Sequence, residues 1–436
     1  MNKLSGPESP ALEYIALGLL ATIGGVLATP LAAGPSVLLA LVATVLMLVK
    51  GKGTLQKYGQ QTLTARNTLL AAFGAWFLAE MLSTVINNQH WPNLDYPLRF
   101  LLGIGVFWIV RYTTMRATGL FYYGIAASAL AAISISSYQH LTLELVRALG
   151  WTNFPIYFGN LCVLLCLYAA IVLIAMKDRL AIHLRHSLAM AIPLLVSSAY
   201  LSMSRSSWLG LAGLLVLVDW RRVNLTSVIG GGLAIAVSLA ITFTFVPELA
   251  ISLRLTEGLQ DIQKITGGDY RSSIGDRLQM WKAALLMFSS SPLIGIGSGY
   301  FQSEVVSLVT SGAVNLELDQ GITVFNQAHS EVMDVLATKG LVGLAAYTAL
   351  LIMPFRLFCK LSETSVAEAK VFAKLGQATV ISFFMFGLTL ATFKVQIYCA
   401  IYPLAIALFA ALALNLSGSE KATPELEARE ALHERA

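Results

Sequence analysis

At 436 residues, the chain is 56% hydrophobic and only 12% charged, about half the charged fraction of an ordinary soluble domain. Its mean hydropathy of +0.71 excludes a soluble enzyme and indicates an all-α integral membrane protein. The net charge of +5 then reads as membrane topology rather than as affinity for nucleic acid, because Lys and Arg accumulate in cytoplasmic loops.

Lys3 precedes an apolar stretch, but Glu13 and the long run after it suit an uncleaved first span better than a signal peptide. A crossing needs about 20 apolar residues. Twelve segments approach that measure: 12–31, 35–49, 68–87, 97–112, 117–136, 156–176, 187–203, 206–219, 225–246, 340–358, 373–392 and 396–415. The even number puts both termini on one side. Fifteen Lys and Arg residues occupy the loops on that side, against Arg99, Arg147, Arg205 and Lys394 in the short opposite loops. The asymmetry predicts cytoplasmic termini and an extracytoplasmic loop over 247–339. Residues 1–246 thus hold helices 1–9, 247–339 form the long loop with helices of its own, 340–416 hold helices 10–12, and 417–436 are a cytoplasmic tail. Ordinary connections run about 4–6 residues, so the long loop is a candidate for function.

Two apolar features invite bland readings. Cys162 and Cys166 sit one turn apart in a span and read as packing residues rather than as a zinc pair or disulfide. Gly230, Gly231 and Gly232 interrupt the ninth span, which fits a broken helix or close helix packing.

Three features on the outer side can carry chemistry. Arg205 lies in Ser204-Arg205-Ser206-Ser207-Trp208, ahead of a run too short to cross the hydrocarbon, so the turn is drawn below the interface. An arginine there needs a carboxylate, a carbonyl or an anionic ligand, unless it snorkels to anchor a helix end. The second feature is a helix expected to start at Asp276, with Arg277 in its first turn and Trp281, Ala284, Leu285 and Phe288 as its apolar stripe. With Arg271 close by, such a helix start would attract phosphate; an amphipathic helix lying on the membrane explains it equally well. Gly295-Ile296-Gly297-Ser298-Gly299 follows Pro292 without the spacing of a dinucleotide fingerprint, and reads as a turn or a close backbone approach. The third feature is His329, where the long loop re-enters the membrane, a residue able to accept a hydroxyl proton near neutrality. No HExxH or DxD occurs, so a metal site is not expected.

Taken in order, Ser204 through Trp208, Asp276-Arg277 with Trp281, Pro292 through Phe301, and Ala328-His329-Ser330 with Lys339-Gly340 resemble the O-antigen ligase and O-antigen polymerase superfamily. The resemblance implies a fold similar to C-type glycosyltransferases and an inner-membrane protein with its active site facing the periplasm. It implies transfer of a polysaccharide from undecaprenyl pyrophosphate to the lipid A core in lipopolysaccharide biosynthesis, without cofactor or divalent metal. The family's essential arginines fall on Arg205 and Arg277, and its essential histidine on His329. Chain length and the lack of an added soluble domain favour ligase over polymerase. The chemistry of the residues agrees, since guanidinium grips diphosphate and stays charged. Arg147, Lys394 and Arg271 are further candidates for binding the pyrophosphate, and Arg99 either helps them or anchors its span. Beyond the glycans, the implied partners are membrane lipids, with no nucleic acid. A transporter of a lipid-linked sugar would instead place charges along a path to both faces, whereas the middles of these spans read as nearly uncharged.

Overall fold

The computed structural model describes residues 10–28, 33–50, 59–113, 118–211, 217, 225–245, 272–316 and 325–433. Among them every regular element is helical: α1 (Pro10–Gly24), α2 (Ala33–Lys50), α3 (Gln60–Ile86), α4 (Asp95–Tyr112), α5 (Gly119–Leu141), α6 (Pro155–Met176) and α7 (Ile182–Leu201). A 3-10 helix, Arg205–Leu211, precedes α8 (Leu225–Phe245), α9 (Ser273–Ser290) and α10 (Phe301–Thr310). The chain closes with α11 (Glu331–Leu361), α12 (Ala367–Gly387) and α13 (Gln396–His433).

Seven of these helices, α3, α5, α6, α7, α11, α12 and α13, are long and apolar enough to cross a membrane, with shorter apolar stretches in α1 and α8. The chain is therefore a multi-pass membrane protein in composition and build. This is fewer than the twelve spans read from the sequence. The eighth expected span begins as the 3-10 helix Arg205–Leu211 rather than as an α-helix, and most of the rest of it lies outside the described residues. α1 is only 15 residues long, and α4 carries Asp95, Arg99 and Arg111 within 18.

α13 is the axis of the bundle. Its crossing segment is 94% enclosed by protein, and it packs on α4 and α12, while α6 packs on α7 and α12. Such a helix can be apolar on every side because no face meets water. Below the site, Phe100, Phe383, Phe393 and Tyr402 pack with stacked, edge and tilted contacts at centroid distances of 4.9–6.2 Å. This rigid aromatic floor supports the short 3-10 turn Thr392–Lys394.

The long connection folds back onto the bundle. α9 and α10 enclose a second core of Met280, Ala283, Ala284, Met287, Phe301 and Val305. The expected stripe was one residue out of phase: Leu285 is exposed, and Met280 and Ala283 are buried in its place. α9 also begins earlier than Asp276. Ser272 is its N-cap, accepting from the Gly275 amide at 3.1 Å, because a serine hydroxyl satisfies an orphan N–H at the helix start. Asp276 thus sits in the first turn and Arg277 just beyond it. The glycine-rich stretch is a close backbone approach. Ile296 and Gly297 donate to the carbonyls of Ala337 and Thr338 at 2.9 Å, and Leu341 donates to Pro292 at 2.8 Å. Gly340 kinks α11 with φ +60, and a Cβ there would lie 2.5 Å from Leu293 backbone.

Candidate active site

Three loops converge above α6. The first follows α7, whose last turn releases the chain through Met203 at φ +50 into Ser204-Arg205-Ser206-Ser207. The serines are small enough to dock on α6 at Gly159, where a Cβ would sit 2.5 Å from the Ser202 hydroxyl and 2.7 Å from that of Ser207. Ser207 donates to Ser204 at 2.8 Å, so the turn closes on itself and leaves Arg205 on its exposed side. The second contribution is the start of α9, carrying Asp276 and Arg277. The third is the segment 325–330, carrying His329.

Together they line a cavity of about 840 Å³ that contains Arg147, Arg205, Arg277 and His329, with Asp276 as the one carboxylate among the described residues of its walls. Apolar side chains, among them Ile156, Leu209, Met280 and Phe325, complete it. Arg147 also donates to the Ser202 carbonyl at 3.2 Å, tying the 142–154 connection to the serine turn. Burial, and then the Arg205 guanidinium, hold Arg277 below the ordinary arginine range. Burial lowers the His329 imidazole from its usual value near 6.5, the Arg277 charge lowers it further, and Asp334 opposes both. His329 is consequently a neutral imidazole at neutral pH, and its buried Nδ1 has no hydrogen-bond partner among the described residues. The arrangement can bind a multiply charged anion and can take a proton from a nearby hydroxyl.

His329 occupies the left-handed region at φ +49, which costs a non-glycine residue and has to be held by its surroundings. The Ala328 amide donates to Asp334 Oδ1 at 3.1 Å, and the Ala391 amide to Gln327 Oε1 at 2.9 Å. Lys394 Nζ reaches Asp334 at 3.0 Å and the Asn326 carbonyl at 3.3 Å, with the Phe301 ring 4.9 Å away. Glu331 accepts from the Thr392 hydroxyl at 2.8 Å and the Phe393 amide at 3.0 Å. The histidine loop is thereby strapped to the turn above the aromatic floor.

Of the residues singled out in the sequence, Arg147, Arg205, Arg277 and His329 come together. Lys394 does not line the cavity; it spends its charge on Asp334, as a strut of the histidine loop rather than as a cation offered to a ligand. Arg99 is held by Asp95 at 2.5 Å and the Gln396 carbonyl at 3.2 Å, so it ties α4 to α13. Arg271 lies outside the described residues. Sequence reasoning overlooked the carboxylates Glu80, Glu331 and Asp334. Glu80 and Lys339 form a buried ion pair at 2.9 Å between α3 and α11, and Lys339 also lies 5.2 Å from the Trp76 ring. The spans are thus less free of charge than they read. A lone Glu80 inside an apolar run was the available signal, since an ionisable residue at such a place requires a partner.

Comparison with known proteins supports the same region. A family model described as O-antigen ligase matches residues 188–348, the stretch that holds Arg205, Arg277 and His329. An uncharacterized protein of Haemophilus influenzae is 25% identical over 320 residues, covering 72% of this chain and 78% of that protein. That domain match over 188–348 supports the resemblance of this region to the O-antigen ligase/polymerase superfamily.

Proposed function

We propose that the protein is an O-antigen ligase, transferring O-antigen polysaccharide from undecaprenyl pyrophosphate to the lipid A core oligosaccharide on the periplasmic face of the inner membrane. The observation that carries this reading is the cavity in which, among the described residues, three arginines and one neutral histidine meet beside one carboxylate. In the reaction the acceptor hydroxyl attacks the anomeric carbon, the bond from that carbon to the pyrophosphate oxygen breaks, and undecaprenyl pyrophosphate departs. A single displacement inverts the configuration. Arg205 and Arg277 stabilise the charge gathering on the departing diphosphate, each contributing on the order of 3 kcal/mol in a site shielded from water. His329 accepts or orients the hydroxyl proton, a role open to an imidazole held uncharged. The arginines take the part that a divalent metal plays elsewhere, and the fold in this reading has twelve crossings in a C-type glycosyltransferase arrangement with both termini cytoplasmic.

The test is ligation in vitro with a lipid-linked donor, offered purified lipid A core or a second lipid-linked glycan, in the presence of chelator. Elongation of lipid A core alone supports the ligase. Elongation of the lipid-linked glycan alone makes the protein an O-antigen polymerase. Activity abolished by chelator and restored by metal overturns the metal-free chemistry, retained anomeric configuration overturns the single displacement, and full activity of His329→Ala removes the base.

A further inference from the structure

At the other end of the bundle a second cavity, of about 630 Å³, opens between α6, α7 and α8. α6 starts beside the active-site cavity at Ile156 and rises about 1.5 Å per residue, which puts this second cavity roughly 25–30 Å away, near its other end. Leu173 and Ile174 of α6, Met190 and Pro193 of α7, and Gly230 and Gly231 of α8 form its apolar walls. Lys177, Arg185 and His186 stand at its mouth with Asp178. A smaller recess of about 300 Å³ adjoins it across Ile174 and adds Arg179, Lys370 and Lys374, with no carboxylate among its described residues. Among the described residues lining the two recesses, five are Lys or Arg and one is Asp.

The glycine run of α8 gains a meaning here. α8 is continuous, so the glycines do not break it, and a Cβ added at Gly230 or Gly231 would meet nothing within 4 Å, so they do not permit close helix packing either. Their missing side chains widen the trough. Two turns further along the same face, α8 is fixed to α7, where Ser197 and Ser238 share a hydrogen bond of 2.7 Å. The result is an apolar slot walled by helices of the membrane bundle, crowned by cations at the depth where headgroups lie.

We propose that this slot binds an anionic phospholipid, with one acyl chain against Gly230 and Gly231 and its phosphate on Lys177 and Arg185. An acyl chain fits a trough bordered by hydrocarbon, and the excess of cations selects a negative headgroup over a zwitterionic one. This site rests on the multi-pass fold and is independent of the transfer reaction.

The experiment is native mass spectrometry of the full chain in mild detergent, titrated with phosphatidylglycerol or with phosphatidylcholine of the same chains. Wild type should hold phosphatidylglycerol about tenfold more tightly, two surface cations each contributing a several-fold preference. Gly231→Leu and, separately, Ala234→Phe fill the trough, and Lys177→Gln/Arg185→Gln removes the headgroup contacts; a thermal unfolding scan identifies any variant that has lost its fold. The preference should disappear in the folded filling variant and in the charge variant. Equal binding of the two lipids by wild type overturns the proposal, as does a preference that survives either change.

Discussion

Two clusters of cations in this protein are built on opposite plans. In one, Lys339 faces Glu80 and Lys394 faces Asp334, ammonium to carboxylate at 2.9 and 3.0 Å, the first pair closed to water and the second partly open to it. In the other, Arg147, Arg205 and Arg277 line an open cavity, with Asp276 as the one carboxylate among the described residues of its walls. The lysines tie together the elements that carry them. The arginines border space that an anionic substrate can enter. Lys394 and the arginines read alike in sequence; what separates them is that the arginines border the cavity and Lys394 does not.

The largest expected effect breaks the matched cluster. Lys339→Met strands the Glu80 carboxylate in a dry site and should cost about 3–5 kcal/mol of stability. Glu80→Leu added to it should recover most of that loss, and thermal unfolding of both variants in detergent measures the cycle. The cavity-lining cluster should behave in the reverse way. Arg277→Ala should leave the unfolding midpoint close to wild type while lowering the transfer rate by about 10²–10³, as removal of one charge-stabilising donor does. An unfolding midpoint lowered as far as that of Lys339→Met would erase the distinction between the clusters.

Smaller effects sharpen the comparison. Gly340→Ala puts a Cβ 2.5 Å from the Leu293 backbone at a residue with φ +60, and should destabilise by at least about 1–2 kcal/mol, read as a lower unfolding midpoint. It should also loosen the 292–297 stretch from α11, which hydrogen exchange at Ile296 and Gly297 would report. The smallest effect is on pH dependence. Because burial and Arg277 disfavour the imidazolium of His329, kcat/KM should stay level as pH falls to the ordinary imidazole value and decline only below it. In Arg277→Gln the residual activity should decline at a higher pH than in wild type, since one of the charges opposing protonation is gone. An acid limb that does not move would show that His329 and Arg277 do not sense one another during turnover.

Much of this was legible in the residues because it rests on local chemistry. An apolar run of crossing length has few options other than a helix in lipid, and so α3, α5, α6, α7, α11, α12 and α13 could be located to within several residues. Ser204 through Ser207, Arg277 and His329 stood out as polar groups at places where a membrane protein pays for polarity. Only the tertiary structure decided which cations were already matched. Lys394 meets Asp334 from across 60 residues and Lys339 meets Glu80 from another helix, and no spacing along one chain encodes such a meeting. It also decided the start and phase of α9, where one serine hydroxyl and a one-residue turn of the helix select the buried face. The glycines of α8 make the same point: composition says that side chains are missing there, and only the positions of α6 and α7 say that the vacancy is a slot.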